Sequence, residues 1–127
     1  MSESKETCIL DILRKVCPFG DFRFYELVLE EAILHSEKNH DYASGGHPLG
    51  NFNRVATILG LYPKLRLSDP EVVALVYLLK QFDAVLWGLS ERIEHRVEGF
   101  SPRLRDISVY SKIIDLLVRD RLSEAKQ

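Results

Sequence analysis

The stretch Ser68-Asp69-Pro70-Glu71-Val72-Val73-Ala74-Leu75-Val76-Tyr77-Leu78-Leu79-Lys80-Gln81-Phe82-Asp83 decides the fold. Ser68 and Glu71 stand at capping-box spacing, and Pro70 is tolerated in a first helical turn, where its missing N–H would lack an intrahelical partner anyway. Together they predict a helix start. From Val72 to Leu79 every residue is apolar, so a helix there has no solvent face. The segment 69–92 is therefore expected to be the central helix of the protein.

Outward from it, the same 3.6-residue period recurs. Ile9, Leu10, Ile12, Leu13 and Val16 follow helical spacing until Pro18 and Gly20 stop them, which predicts a short first helix. Tyr25, Val28, Leu29, Ala32 and Ile33 form an apolar face that Phe24, Leu27 and Leu34 widen, predicting a helix over 22–39 buried on more than one side. His40 to Gly50 has no period, and Gly45-Gly46, Pro48 and Gly50 mark it as a loop. Asn51 is placed to cap a third helix that runs through Gly60, with Phe52, Val55, Ala56 and Leu59 toward the core. Gly99 ends a polar stretch, and Ser101-Pro102 opens a last helix over 102–120 with Leu104, Ile107, Tyr110, Ile114 and Leu117 on one face. The tail from Ser123 to Gln127 is expected to fray. No stretch alternates apolar and polar residues between turn residues, so no sheet is expected. The expected architecture is one all-α domain over 1–127, a bundle of four main helices plus a short N-terminal helix. So few helices cannot enclose an all-round apolar one and also cover Trp87 and Leu89. A homodimer or larger homo-oligomer is therefore expected.

Hydrophobic residues make up 46% of the 127 and charged residues 28%, with seven glycines and five prolines, a composition that folds by packing a core. The balance of 17 Lys and Arg against 19 Asp and Glu gives no overall basic field for extended nucleic acid, although a local basic pocket is compatible with it. Cys8 and Cys17 lack the close pairing of a zinc knuckle or redox motif and read as reduced thiols in a cytoplasm. The N-terminus has no signal-peptide run, and the uninterrupted apolar run Val72 to Leu79 is too short to span a bilayer, so no membrane role is expected.

Chemistry concentrates in four places. Between Val72 and Ser90 only Lys80 and Asp83 are charged, one turn apart on an apolar rod. A buried charge must be paired, so they either pair with each other as a structural ion pair or meet a ligand, with Lys80 on an anion and Asp83 holding the lysine or a metal. In the last helix Asp106 and Tyr110 share a face, and Arg103 one turn before reads as a surface partner of Asp106. In the second helix Glu26 and Glu30 are four apart, a spacing that can hold Mg²⁺ and is equally that of a solvated face. The loop region gathers Lys38, His40, Asp41, Tyr42, Ser44, Gly45, Gly46, His47 and Asn51. Glycine backbone, a lysine and a tyrosine suit a phosphate and a base, but neither a Gly-x-Gly-x-x-Gly nor a Walker loop is present. His40 and His47 lack further ligands at zinc spacing, and no nucleophilic triad can be read.

Taken in order, Lys38-Asn39-His40-Asp41-Tyr42-Ala43, Pro48-Leu49-Gly50-Asn51-Phe52, Lys80, Glu98-Gly99 and Leu104-Arg105-Asp106-Ile107 with Tyr110 resemble small phage and bacterial nucleotide-modification-associated domains. Those proteins are similar to the all-α nucleoside triphosphate pyrophosphatases of the MazG and dimeric dUTPase type. The resemblance covers roughly Leu27 to Leu117. It implies a helical bundle, frequently oligomeric, with a ligand site between helices that closes with the Asp41-Tyr42 loop, and Lys38, Asp41, Tyr42, Asn51, Lys80 and Asp106 as site residues. The pyrophosphatases hold Mg²⁺ with paired carboxylates on two helices. Here Lys80 and Asp83 stand where two carboxylates would be, and Glu26 and Glu30 are four apart in place of three. A lysine for a carboxylate turns a cation site toward an anion site.

The expected function is binding of a nucleotide or modified nucleotide, with Lys80 and Lys38 near phosphate, Tyr42 against a base, and Asp83 and Asp106, beside Tyr110, orienting polar groups. In a phage this would serve hypermodified-base metabolism or sequester a defence signalling nucleotide. The rival is a Mg²⁺-dependent nucleotide pyrophosphatase using Glu26, Glu30, Asp83 and Asp106. A third possibility is an interaction module whose Lys80 and Asp83 are only structural.

Overall fold

A computed structural model describes residues 3–43, 46–93, 95 and 98–126. They form five α-helices and no strand: α1 (Glu3–Val16), α2 (Phe22–Ala43), α3 (Gly50–Gly60), α4 (Pro70–Glu91) and α5 (Phe100–Ala125). The all-α class expected from the period, four main helices and a short N-terminal one, is what the described residues adopt. Packing divides it into two compact units, Met1–Lys38 and Asn39–Gln127, with the boundary inside α2.

In the first unit, Gly20 at φ +105° makes the turn between α1 and α2, a backbone region open mainly to glycine. Asp21 Oδ1 accepts the N–H of Arg23 at 2.9 Å, satisfying a first-turn donor of α2. Arg23's side chain closes on the same carboxylate and holds it below its ordinary pKa. The Tyr25 hydroxyl donates to the Phe19 carbonyl at 2.7 Å, and Arg14 lies over the Phe22 ring at 3.7 Å. The apolar stripe of α2 is not buried on several sides as its width suggests: Phe24, Leu27, Val28, Ile33 and Leu34 are all exposed. Cys8 and Cys17 are free thiols.

In the second unit α4 packs along α5 and beneath α3. Ala43, Val72, Ala74, Ala84 and Val85 form the buried apolar core. Gly88 lets two rings approach α4 closely, since a Cβ there would lie 2.6 Å from Phe100 Cε1 and 2.7 Å from His95 Nε2. α4 ends at Arg92 in the left-handed region, φ 53°, and the Ile93 N–H returns to the Gly88 carbonyl at 3.0 Å, satisfying a last-turn acceptor.

Several ends differ from expectation, each for a local reason. His40 to Ala43 continue α2 because Asp41 and Ala43 are buried in the second unit, and tertiary burial outweighs weak local propensity. Asn51 does not cap α3. Leu49 occupies the N-cap without a side-chain bond, while the Leu49 N–H donates to His47 Nδ1 at 3.0 Å. Ser68 and Glu71 make no capping box either. Asp69 is the N-cap, its carbonyl accepts the N–H groups of Val72 and Val73, and Pro70 opens the helix. Glu71 is drawn across to Arg121 on α5 at 2.7 Å. α5 begins two residues before Pro102 and runs through Ser123 to Ala125, where a frayed tail was expected. Ser44 and Gly45 of the loop reading lie outside the described residues.

α4 is central yet far from enclosed: Val73, Tyr77, Phe82, Leu86 and Leu89 are exposed, Leu89 by 61%. Counted with Lys80 and Asp83 inside it, Pro70–Glu91 is long and apolar enough to cross a membrane by length and composition, which corrects the shorter measure from the uninterrupted run. A soluble core helix passes the same test.

Candidate functional site

Asp83 is buried but its partner is not Lys80. Arg54 Nε donates to Asp83 Oδ1 at 2.7 Å and Arg54 Nη2 to Oδ2 at 2.9 Å, a two-pronged pair between α3 and α4. The bond to Asp83 raises Arg54 above its ordinary pKa against the opposing effect of burial. Of the two readings open for Lys80 and Asp83 from the sequence, this corrects the mutual ion pair. One turn of helix separates the two residues, but Asp83 sits beneath α3 while Lys80 stays exposed. Arg54 is the sole charged residue of α3. A lone cation on apolar α3 and a carboxylate inside the apolar stretch of α4 are a readable signal of pairing.

Lys80 stands at the rim of a cavity of about 380 Å³ between α3 and α4. Asn51, Val55 and Leu59 of α3 face Tyr77, Lys80 and Asp83 of α4 across it, in each case residues three or four apart on one helix face. Tyr77, 56% exposed, meets Tyr110 of α5 edge-on at 6.0 Å between ring centroids. Lys80 Nζ lies 6.0 Å from the centre of the Tyr42 ring. Three of the expected site residues, Asn51, Lys80 and Asp83, thus share one cavity, with Tyr110 behind its wall. Tyr77 is a wall residue that the sequence reading passed over as core.

Asp41 and Tyr42 belong to a buried cluster centred on Arg103, which is not the surface partner of Asp106. Arg103 is 1% exposed and Asp41 fully buried. Arg103 Nη1 donates to the Tyr42 hydroxyl at 3.0 Å and to Gln81 Oε1 at 2.8 Å, and its Nε donates to His95 Nδ1 at 3.0 Å. Asp41 and Glu98 supply the negative charge at 3.7 and 3.5 Å, and the Glu98 N–H donates to Asp41 Oδ2 at 3.3 Å. His95 Nδ1 also lies 3.1 Å from the Glu98 carbonyl, which can only accept, so the Arg103 and Glu98 contacts call for opposite tautomers of the ring. Burial first, and the Arg103 charge second, lower the His95 pKa. Among the described residues no hydrogen-bond partner reaches its Nε2. Such a cluster ties the end of α2 and the start of α5 to the middle of α4, and Asp41 is fully buried within it.

Of the remaining expected residues, Asp106 of the second unit does not join these groups. Asp106 is half-buried on α5. Lys38, Glu26 and Glu30 are exposed on α2 within the first unit. Among the described residues no three His, Cys, Asp or Glu side chains gather to hold a metal ion.

No protein-family model and no solved structure matches the chain. Over 57 residues it is 39% identical to the "Gene 55 protein" of Mycobacterium phage D29, an alignment covering 43% of this chain and 36% of that protein. The chain is therefore similar to a phage protein, and the matched part spans about a third of that relative's length.

Proposed function

We propose that the protein binds a nucleotide or modified nucleotide in the cavity between α3 and α4. What supports this is the meeting of Asn51, Lys80 and Asp83 in one recess of about 380 Å³, a size suited to a small ligand. Its walls divide the labour. Lys80 presents three ammonium donors to a phosphate at the rim, Tyr77, backed by Tyr110, offers an aromatic face to a base, and Asn51 brings amide donors and acceptors. Both oxygens of Asp83 accept from Arg54 and offer a phosphate no donor, so the anion belongs at Lys80. Tyr42 stands beside that lysine in place of contacting the base. The similarity to a phage protein fits a role in modified-nucleotide metabolism or in sequestering a signalling nucleotide during infection, and the MazG-like resemblance points the same way.

Binding ranks above Mg²⁺-dependent pyrophosphate release because Asp83, one of the four carboxylates that reaction would use, is committed to Arg54. A homo-oligomer accompanies this proposal: only 28% of the most apolar window of α4 is buried within the chain, and a second copy is the simplest cover for the rest.

The test is isothermal titration of the full chain with nucleoside mono- and triphosphates, preceded by mass spectrometry of small molecules carried through purification. Since Lys80 is exposed, Lys80→Met is expected to weaken binding about tenfold, about 1.4 kcal/mol, a smaller loss than for a buried lysine. Undiminished affinity in that variant would remove the phosphate from Lys80.

A further inference from the structure

On the opposite flank of α3 a second groove, of about 550 Å³, opens over the C-terminal half of α4, lined by Asn53, Arg54, Ile58, Leu86, Trp87 and Ser90. Its floor is a stack. The Arg54 guanidinium lies over the Trp87 ring, 4.2 Å from its centre, and is fixed there by two bonds to Asp83 and one to the Tyr42 carbonyl. A Cβ at Gly46 would come within 2.6 Å of Trp87 Cζ2, so the loop backbone presses on the indole and keeps it in place. Arg54 retains 32% side-chain exposure. Asp83 neutralises the guanidinium, so the groove carries no net charge. Ile58 and Leu86 provide apolar walls, and Asn53 and Ser90 bring an amide and a hydroxyl. A flat, uncharged ring with a hydrogen-bonding edge matches these features, and a phosphate does not.

We infer that this groove is a second ligand site, which takes a neutral planar heteroaromatic ring of the nucleobase or nucleoside class. The ring stacks on the open side of Arg54, extending the Trp87–Arg54 stack by one layer, with its polar edge toward Asn53 and Ser90. The site is distinct from the cavity at Lys80 and does not depend on phosphate binding there.

Trp87 is the chain's single tryptophan, so intrinsic fluorescence reports on this groove directly. Titration of the full chain with uncharged nucleosides is expected to quench it saturably, and equally in Lys80→Met. Arg54→Lys keeps the charge opposite Asp83 but loses the plane, and should weaken the quenching constant about tenfold. Ser90→Phe fills the groove from an exposed helical position and should abolish quenching while helix content by circular dichroism stays unchanged. Absence of saturable quenching by any nucleoside, or full affinity in a folded Ser90→Phe, would overturn the assignment. So would loss in Lys80→Met alone, which would move nucleoside binding to the other cavity.

Discussion

Arg103 and Lys80 are both cations on helices of the second unit, and the fold treats them in opposite ways. Arg103 is 1% exposed and touches Tyr42, Gln81, His95, Asp41 and Glu98. Lys80 is exposed and, among the described residues, its closest ring is that of Tyr42, at 6.0 Å. Water would have solvated either charge. The fold strips it from Arg103 and replaces it with fixed acceptors, which makes the group structural. Lys80 keeps its water and its donors, so its charge remains available to something that arrives later. Arg54 stands between the two, paired to Asp83 yet about a third open.

If burial separates structural from available charge, substitutions should rank by it. Arg103→Met should have the largest effect, a loss of about 3–5 kcal/mol, because it removes the buried charge on which Tyr42, Gln81, His95, Asp41 and Glu98 converge. Urea unfolding followed by circular dichroism measures this, and a loss below about 1 kcal/mol would mean the cluster is solvated after all. Asp83→Asn should come next, at about 2 kcal/mol, since it takes the charge from a two-pronged bond while Arg54 can still turn to water.

A smaller effect should appear on acidification. His95 has an ordinary pKa of 6.5 that the fold lowers through burial and the Arg103 charge, so the native state holds it neutral and the unfolded chain takes up the proton first. This contribution to stability is complete above about pH 6.5 and is lost as the pH falls from there toward the lowered folded value. His95→Gln, which retains an acceptor for Arg103 Nε, should flatten that part of the profile. Urea midpoints at about pH 7.5 and about pH 5.5 for both chains would show it. Smallest of all should be Lys80→Met, with stability unchanged within about 0.5 kcal/mol while nucleotide affinity falls. A clear rise in melting temperature without loss of affinity would mark Lys80 as a solvated helix residue only.

The fold class was legible because a 3.6-residue period is a local property, repeated in every apolar segment. Helix ends were less so. His40 to Ala43 became helical through burial of Asp41 and Ala43, contacts made by residues far along the chain. Charge pairing was least legible. Lys80 and Asp83 looked like partners because they are neighbours in sequence, whereas Asp83 pairs with Arg54, 29 residues away. That Asn51, Lys80 and Asp83 share a cavity was readable in kind, since polar groups on apolar helices are costly unless used. Their geometry depended on how α3 crosses α4, which no local pattern specifies.

Asp83 is a wall of both cavities, on either flank of α3. It is therefore a shared term in two binding equilibria. A molecule in either cavity that displaces the carboxylate, or draws Arg54 from it, changes the free energy of occupying the other. Thermodynamic linkage makes that change reciprocal: whatever factor a ring beside Trp87 imposes on the affinity at Lys80, a ligand at Lys80 imposes on the ring.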